Sequence, residues 1–186
     1  MPHRNKKETE LKTLTIFLTS VFIFSGCLTF HRISYKLNLD GELKGNGIIT
    51  VYDIRSDAET ESEFEEDKLT LFNYILDSEN FLNDMRYEGK IILSRELFKE
   101  DNLLNGRAEF NFNDIRDVEA ISYEDGFYFL TMDLQDSIHS TNGEVVYSDD
   151  YKRIIWGKDV KTIEFEMIST DYDDMYYRDL APFYEE

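Results

Sequence analysis

From Glu88 to Met167 the dominant repeat of the apolar residues is two, and no other feature of the chain narrows its fold as far. Ala108, Phe110 and Phe112 alternate with Arg107, Glu109, Asn111 and Asn113. This is the pattern of a strand with one buried and one wet face, because successive side chains leave a pleated backbone on opposite sides. Ile91 and Leu93 open the series. Ile121 to Tyr123, Phe127 to Leu134, Val145 with Tyr147, Ile154 with Trp156, and Ile163, Phe165 and Met167 continue it. Asn105-Gly106, Asp125-Gly126 and Asn142-Gly143 read as tight turns with a left-handed backbone, and Gly157-Lys158 turns between the last two strands. Nearer the N-terminus, Ile33 to Leu39 and Ile48 to Ile54 pair around a connection holding Gly41, Gly45 and Gly47. No Lys-Ser/Thr pair follows those glycines, so they read as turns and bulges and not as a phosphate loop. The expected product is an antiparallel sheet of about 7–9 strands.

Between Thr60 and Met85 the period changes. Thr60 and Glu63 have the spacing of a capping box, acidic side chains fill the first turn, and Leu71, Phe72, Ile75, Leu76 and Leu82 recur at steps of three and four. One long helix is predicted there, ending or kinking at Ser78 with a short turn beyond it. Asp114 is placed to cap another short turn carrying Ile115 and Val118. A sheet charged on both sides has nothing to bury. Ala108, Phe110, Phe112, Phe127, Phe129, Ile163, Phe165 and Met167 are therefore expected on one face, packed by Phe72, Ile75 and Leu76. The implied fold class is α+β: a sheet layered by one long helix, or a partly closed barrel whose closure removes exposed edges.

Charge excludes one class of partner. Lys and Arg number 20 against 39 Asp and Glu, a net charge of −19. Residues 1 to 27 carry four basic and two acidic side chains, so the remainder stands near −21. A field of that sign repels phosphate backbones, which leaves neutral or basic partners such as a glycan or a cationic protein surface. Hydrophobic content of 41% and aromatic content of 15% are those of a folding chain in spite of the charge.

The N-terminal stretch has its own logic. Arg4, Lys6, Lys7 and Lys12 precede an apolar run from Leu14 to Phe24, and Ser25 and Gly26 lead into Cys27, the only cysteine. A basic region, an apolar region and a small-residue cleavage site form the plan of a secretory signal. Phe24, Ser25, Gly26 and Cys27 resemble the lipobox of bacterial lipoproteins, with Phe24 where Leu is commoner. The resemblance implies cleavage between Gly26 and Cys27, a diacylglyceryl thioether on Cys27, and acylation of the new amino group. It also implies residence in the cell envelope. Leu28 after the cysteine, where Asp would retain a protein in the inner membrane of some bacteria, points to the outer membrane. The competing reading is an uncleaved transmembrane helix over Thr13 to Phe30, which is uncharged and about 27 Å long. The expected organisation is a signal peptide at 1–26, a lipidated cysteine and tether at 27–32, one α+β domain at 33–169, and an acidic aromatic tail at 170–186.

Catalytic chemistry has little to stand on. Beyond the leader only His31 and His139 are available, and Ser137, Ser140 and Asp136 beside His139 are sequence neighbours without the elbow of a serine hydrolase. Asp149 with Asp150, and Asp171, Asp173 and Asp174, offer oxygen ligands for calcium but lack the turn glycine and distal Glu of an EF-hand. No enzyme activity and no cofactor are expected. In the tail, Tyr172, Tyr176, Tyr177, Phe183 and Tyr184 lie among carboxylates. That combination suits a protein or glycan partner, and equally a strap packed on the sheet edge. The functional expectation is a lipid-anchored binding or structural module. The alternative is a carrier that holds a hydrophobic ligand in a pocket between helix and sheet.

Overall fold

The computed structural model describes residues 28–119, 121–169, 172 and 176–185. The first strand among the described residues, β1 (Leu28–Leu39), takes in residues 28–32, which the sequence pattern reads as part of a tether. It pairs antiparallel with β2 (Gly45–Ser56), Tyr35 opposite Ile49 and Ile33 opposite Val51. Gly41 takes the turn, at φ 95°. Gly45 and Gly47 instead lie inside β2. A Cβ on Gly47 would stand 2.6 Å from the Phe110 ring, and one on Gly45 would stand 2.0 Å from the Asn38 carbonyl oxygen. These two glycines serve close approach, not turning.

Midway along β2 the buried parity changes. Gly47, Ile49 and Val51 face the core, and after Asp53 the inward residues are Ile54, Ser56 and then Ala58. Asp53 has φ 55°, a left-handed conformation that Asp tolerates, and its N–H donates to Asn105 Oδ1 at 3.0 Å.

The helical region starts with the predicted capping box. In α1 (Glu61–Lys68), Thr60 Oγ1 accepts from the Glu63 N–H and Glu63 Oε2 accepts from the Thr60 N–H. Ser56 Oγ donates to Asp67 at 2.5 Å in the interior, fastening α1 to the end of β2. The arm then runs on without a break as a wider π-helix over Leu69–Asp77, 17 residues in all. Ser78 is extended, interrupts the arm and caps α2 (Glu79–Tyr87). The single long helix of the sequence reading is therefore an arm and a second helix joined at the predicted kink.

A hairpin follows, β3 (Lys90–Glu100) with β4 (Leu103–Phe112). It turns at Asp101 and Asn102, both at positive φ, while Asn105 and Gly106 sit inside β4, which corrects the turn expected there. Asp114 caps a 3₁₀ turn at Ile115–Asp117, as its position predicts. Next come β5 (Ser122–Glu124) and β6 (Phe127–Met132), joined by Asp125-Gly126 at positive φ. Then follow β7 (Ser137–Thr141), β8 (Glu144–Tyr147), β9 (Lys152–Trp156), β10 (Thr162–Ile168) and the short β11 (Arg178–Asp179). Gly143, between β7 and β8, is not at positive φ. It is needed because a Cβ there would stand 2.7 Å from Trp156 Nε1.

The fold is α+β, but the single sheet and the barrel are both corrected. The strands form a seven-stranded sheet, in the order β3-β4-β2-β1-β10-β7 with β11 added to the end of β2, and a four-stranded sheet, β5-β6-β9-β8. Both paths have ends, so the sheets are open. One face of the larger sheet carries Ile33, Tyr35, Leu37, Phe110, Phe112, Ile163, Phe165 and Met167, and the helical arm and the small sheet share its cover. Phe127 and Phe129 do not join this face. Tyr128, Leu130 and Met132 of β6 point inward, while Phe127 is 50% exposed. The opposite face of the large sheet is wet, with Arg32 to Glu166 at 2.6 Å and Lys36 to Glu164 at 2.7 Å.

Candidate functional site

Where the helical arm crosses β2, β4 and β3, the packing is incomplete. Ile49, Val51, Leu97 and Ala108 form the floor of an apolar cleft, and Leu71, Ile75, Leu76 and Phe81 form its roof. Three of the four roof residues, Leu71, Ile75 and Leu76, belong to the π-helical stretch, and Phe81 to α2. A π-helix spaces its side chains differently from an α-helix, so it cannot lay regular ridges into the grooves of the sheet, and such segments recur at functional sites. The cleft, which opens to solvent on one side, has a volume of about 60 Å³. That is less than half the ~150 Å³ at which a dry apolar cavity takes up benzene, so it has room for the end of an aliphatic chain and not for a whole lipid tail.

Polar groups gather only at the lip. Arg95 occupies an inward position of β3, opposite Ala108, after the bulge between Ile92 and Ser94 resets that strand's parity. Its guanidinium stands 5.3 Å from the centre of the Phe81 ring, and Nη1 donates to the Ser78 carbonyl at 3.1 Å. Burial lowers the Arg95 pKa from its ordinary value, against the opposing pull of Asp77 and Glu79. Glu96, the one acid on the lining, has Arg107 at 3.4 Å.

A second polar cluster lies inside the core. Tyr35 and Glu119 are 2% and 6% exposed, and Lys90, at 4%, reaches Glu88 at 3.1 Å. The Tyr35 hydroxyl and Glu119 Oε1 are close enough to influence each other but make no hydrogen bond of good geometry. Burial raises the Glu119 pKa. The nearby Tyr35 hydroxyl and Lys90 work against that rise, and Glu88 adds to it. A buried carboxyl with a perturbed pKa is a functional-site candidate when a cleft reaches it, and Glu119 does not line the apolar cleft.

The stability consequence is testable. A carboxyl whose folded pKa is raised keeps its proton where the unfolded chain has released it. Stability therefore falls as pH rises from the ordinary 4.5 towards the folded value. Glu119→Gln should be about as stable as the parent below pH 4.5, and more stable by on the order of 1 kcal/mol at neutral pH. Urea titrations across that range check it; parallel pH curves for the two proteins would show that Glu119 is fully compensated.

Of the residues expected to carry function, Gly26 and Cys27 lie outside the described residues, as do Asp171, Asp173 and Asp174. The tail aromatics are dispersed. Tyr172 donates to the Asp53 carboxylate and lies against His31 and Tyr177, with ring centres at 5.0 and 5.6 Å. Phe183 meets Phe64 edge-on at 5.4 Å, and Tyr184 stacks on Phe72 and donates to the Leu97 carbonyl at 2.6 Å. Arg178 lies 3.6 Å over Phe64 and pairs with Glu61 at 2.8 Å. The C-terminal residues thus strap the helical arm to β3, and of the five Tyr176, at 77%, and Phe183, at 49%, stay exposed. His139 stands on the wet face, 3.8 Å from Glu166. Among the described residues no three His, Cys, Asp or Glu side chains cluster to hold a metal, and no helix is long and apolar enough to cross a membrane.

Sequence reasoning missed the cleft's Arg95, Asp53 and Glu119. An arginine two residues before Leu97 in an otherwise alternating strand was the available signal for the first. No protein-family model, curated protein or solved structure matches the chain.

Proposed function

We propose that the chain is a lipid-anchored cell-envelope protein, held in the outer membrane through Cys27, whose domain acts as a binding or structural module. The observation that carries this reading is the run Phe24-Ser25-Gly26-Cys27 at the end of a basic-then-apolar leader. Strand β1 begins at Leu28, so an anchor on Cys27 sits at the very end of the large sheet and keeps the domain against the bilayer surface. The test is fractionation of cells. The protein is expected in the membrane fraction, releasable by detergent and not by high salt; recovery in the cytosol with residues 1–26 still attached overturns the reading.

A second reading, that the domain carries a hydrophobic ligand, is favoured by the apolar cleft under the π-helical stretch. Hexanol is expected to bind there saturably, as read by ligand-detected NMR. Ala108→Leu, which fills the cleft from its floor, should weaken that binding at least about tenfold, the loss expected when about 1.4 kcal/mol of contact is removed. Equal binding by the two proteins would place the alcohol elsewhere.

A further inference from the structure

The cleft has one chemical asymmetry that an apolar pocket does not need. Its walls are aliphatic and aromatic, and the cation at its lip has a single hydrogen bond among the described residues, to the Ser78 carbonyl. A guanidinium carries five N–H donors in a planar fork that matches a carboxylate. No carboxylate lies within ion-pair distance of Arg95 among the described residues, and the one acid on the lining, Glu96, faces Arg107 instead. We propose that the cleft recognises a short aliphatic carboxylate, its chain end between the π-helical roof and the sheet and its head group on Arg95. This rests on the carrier reading above.

Size and charge narrow the ligand class. The cavity of about 60 Å³ admits only a chain end, so lengthening the chain adds little once the cleft is full. Arg95 has no ion pair among the described residues, although Asp77 and Glu79 act on it from farther off, and in a domain near −21 it suits a monoanion; a phosphate dianion meets the same arginine but twice the surrounding repulsion. A neutral alcohol of equal length fills the apolar part and leaves the guanidinium fork unused. A charge-assisted contact at a half-buried site separates the two by about tenfold or more.

The experiment compares hexanoate, hexanol and hexylammonium on the wild-type protein by ligand-detected NMR. Hexanoate is expected to bind about tenfold or more tightly than hexanol, with hexylammonium weakest. Arg95→Met should bring hexanoate down to the level of hexanol and leave hexanol unchanged, and Arg95→Lys should keep part of the preference. A readout on the wild-type protein guards against a variant that misfolds: the carboxyl pKa of bound hexanoate, followed by its carboxyl-carbon shift, should lie below that of the free acid. Equal binding of hexanoate and hexanol, an unshifted bound pKa, or a preference that survives Arg95→Met overturns the head-group assignment while the carrier reading stands. If none of the three binds the wild-type protein, the carrier reading itself fails and this inference goes with it.

Discussion

Cys27→Ala should abolish incorporation of radiolabelled fatty acid and leave residues 1–26 uncleaved, with the apolar run Leu14 to Phe24 as the remaining hold on the membrane. The sulfur is the only thiol in the chain, so no other residue can take the thioether-linked lipid. Two acyl chains bury about thirty methylenes at ~0.8 kcal/mol each, on the order of 20 kcal/mol, whereas a single chain holds only marginally. Removing the attachment point therefore removes the acyl contribution at once and leaves only the uncleaved leader to hold the membrane. The folded domain should not notice. Leu28 and Phe30 pack against the core through their own side chains, and β1 is held by β2 on one side and β10 on the other. The variant should thus unfold at the wild-type urea concentration while losing radiolabelled fatty acid. Undiminished labelling would refute lipidation at this sulfur. An unlabelled wild-type protein, fully retained in the membrane with residues 1–26 still attached, would instead mark the stretch from Thr13 to Phe30 as an uncleaved span.

How far the fold can be read from the sequence depends on how local its determinants are. The capping box at Thr60 and Glu63, the kink at Ser78, the turn at Asp125-Gly126 and the cap at Asp114 all involve partners within four residues, and all four stand where the residues put them. The hairpin turn between β3 and β4 is different. Asn105-Gly106 and Asp101-Asn102 are both able to turn, and the choice is made by Asn105, whose side chain is taken by the Asp53 N–H from 52 positions away. Distance in sequence hides it. In β6 the run Phe-Tyr-Phe-Leu-Thr-Met is apolar at nearly every position, so period two gives no phase. The structure buries Tyr128, Leu130 and Met132, with Tyr128 donating to the Glu42 carbonyl at 2.7 Å. The division into two sheets was equally hidden, because alternation describes each strand alone and says nothing of which strands share hydrogen bonds. The apolar cleft follows from the π-helical winding of Leu69–Asp77, whereas the spacing of Leu71, Phe72, Ile75 and Leu76 reads as an ordinary helix. Arg95 acquires its inward position only through a bulge in its own strand, which shifts the register after Ile92.

Trp156→Ala should cost the domain about 3–5 kcal/mol, more than any other single truncation proposed for it. The indole is 2% exposed and lies where the two sheets meet. One side packs toward Phe165 of the large sheet, ring centres 5.9 Å apart, and Phe165 in turn stacks on Tyr35 at 4.8 Å. The other edge donates from Nε1 to Asn142 Oδ1 at 2.7 Å, in the crossover by which the chain leaves the large sheet for the small one. Asn142 has further tasks: Oδ1 also accepts from the Glu164 N–H at 2.9 Å, and Nδ2 donates to the Thr162 carbonyl at 2.8 Å. Truncation to alanine therefore opens a cavity between the sheets and strips one donor from the crossover, and the backbone of Gly143, which already lies against the ring, cannot close the gap without breaking those bonds. Trp156→Phe should lose less, about 1–2 kcal/mol, because it keeps most of the ring and leaves Asn142 Oδ1 with its second partner. Circular dichroism in urea is the right measurement, since the substitution removes the chain's only tryptophan and with it the fluorescence signal. Losses of equal size for the two variants would mean that the hydrogen bond to Asn142, and not the filled volume between the sheets, is what joins them.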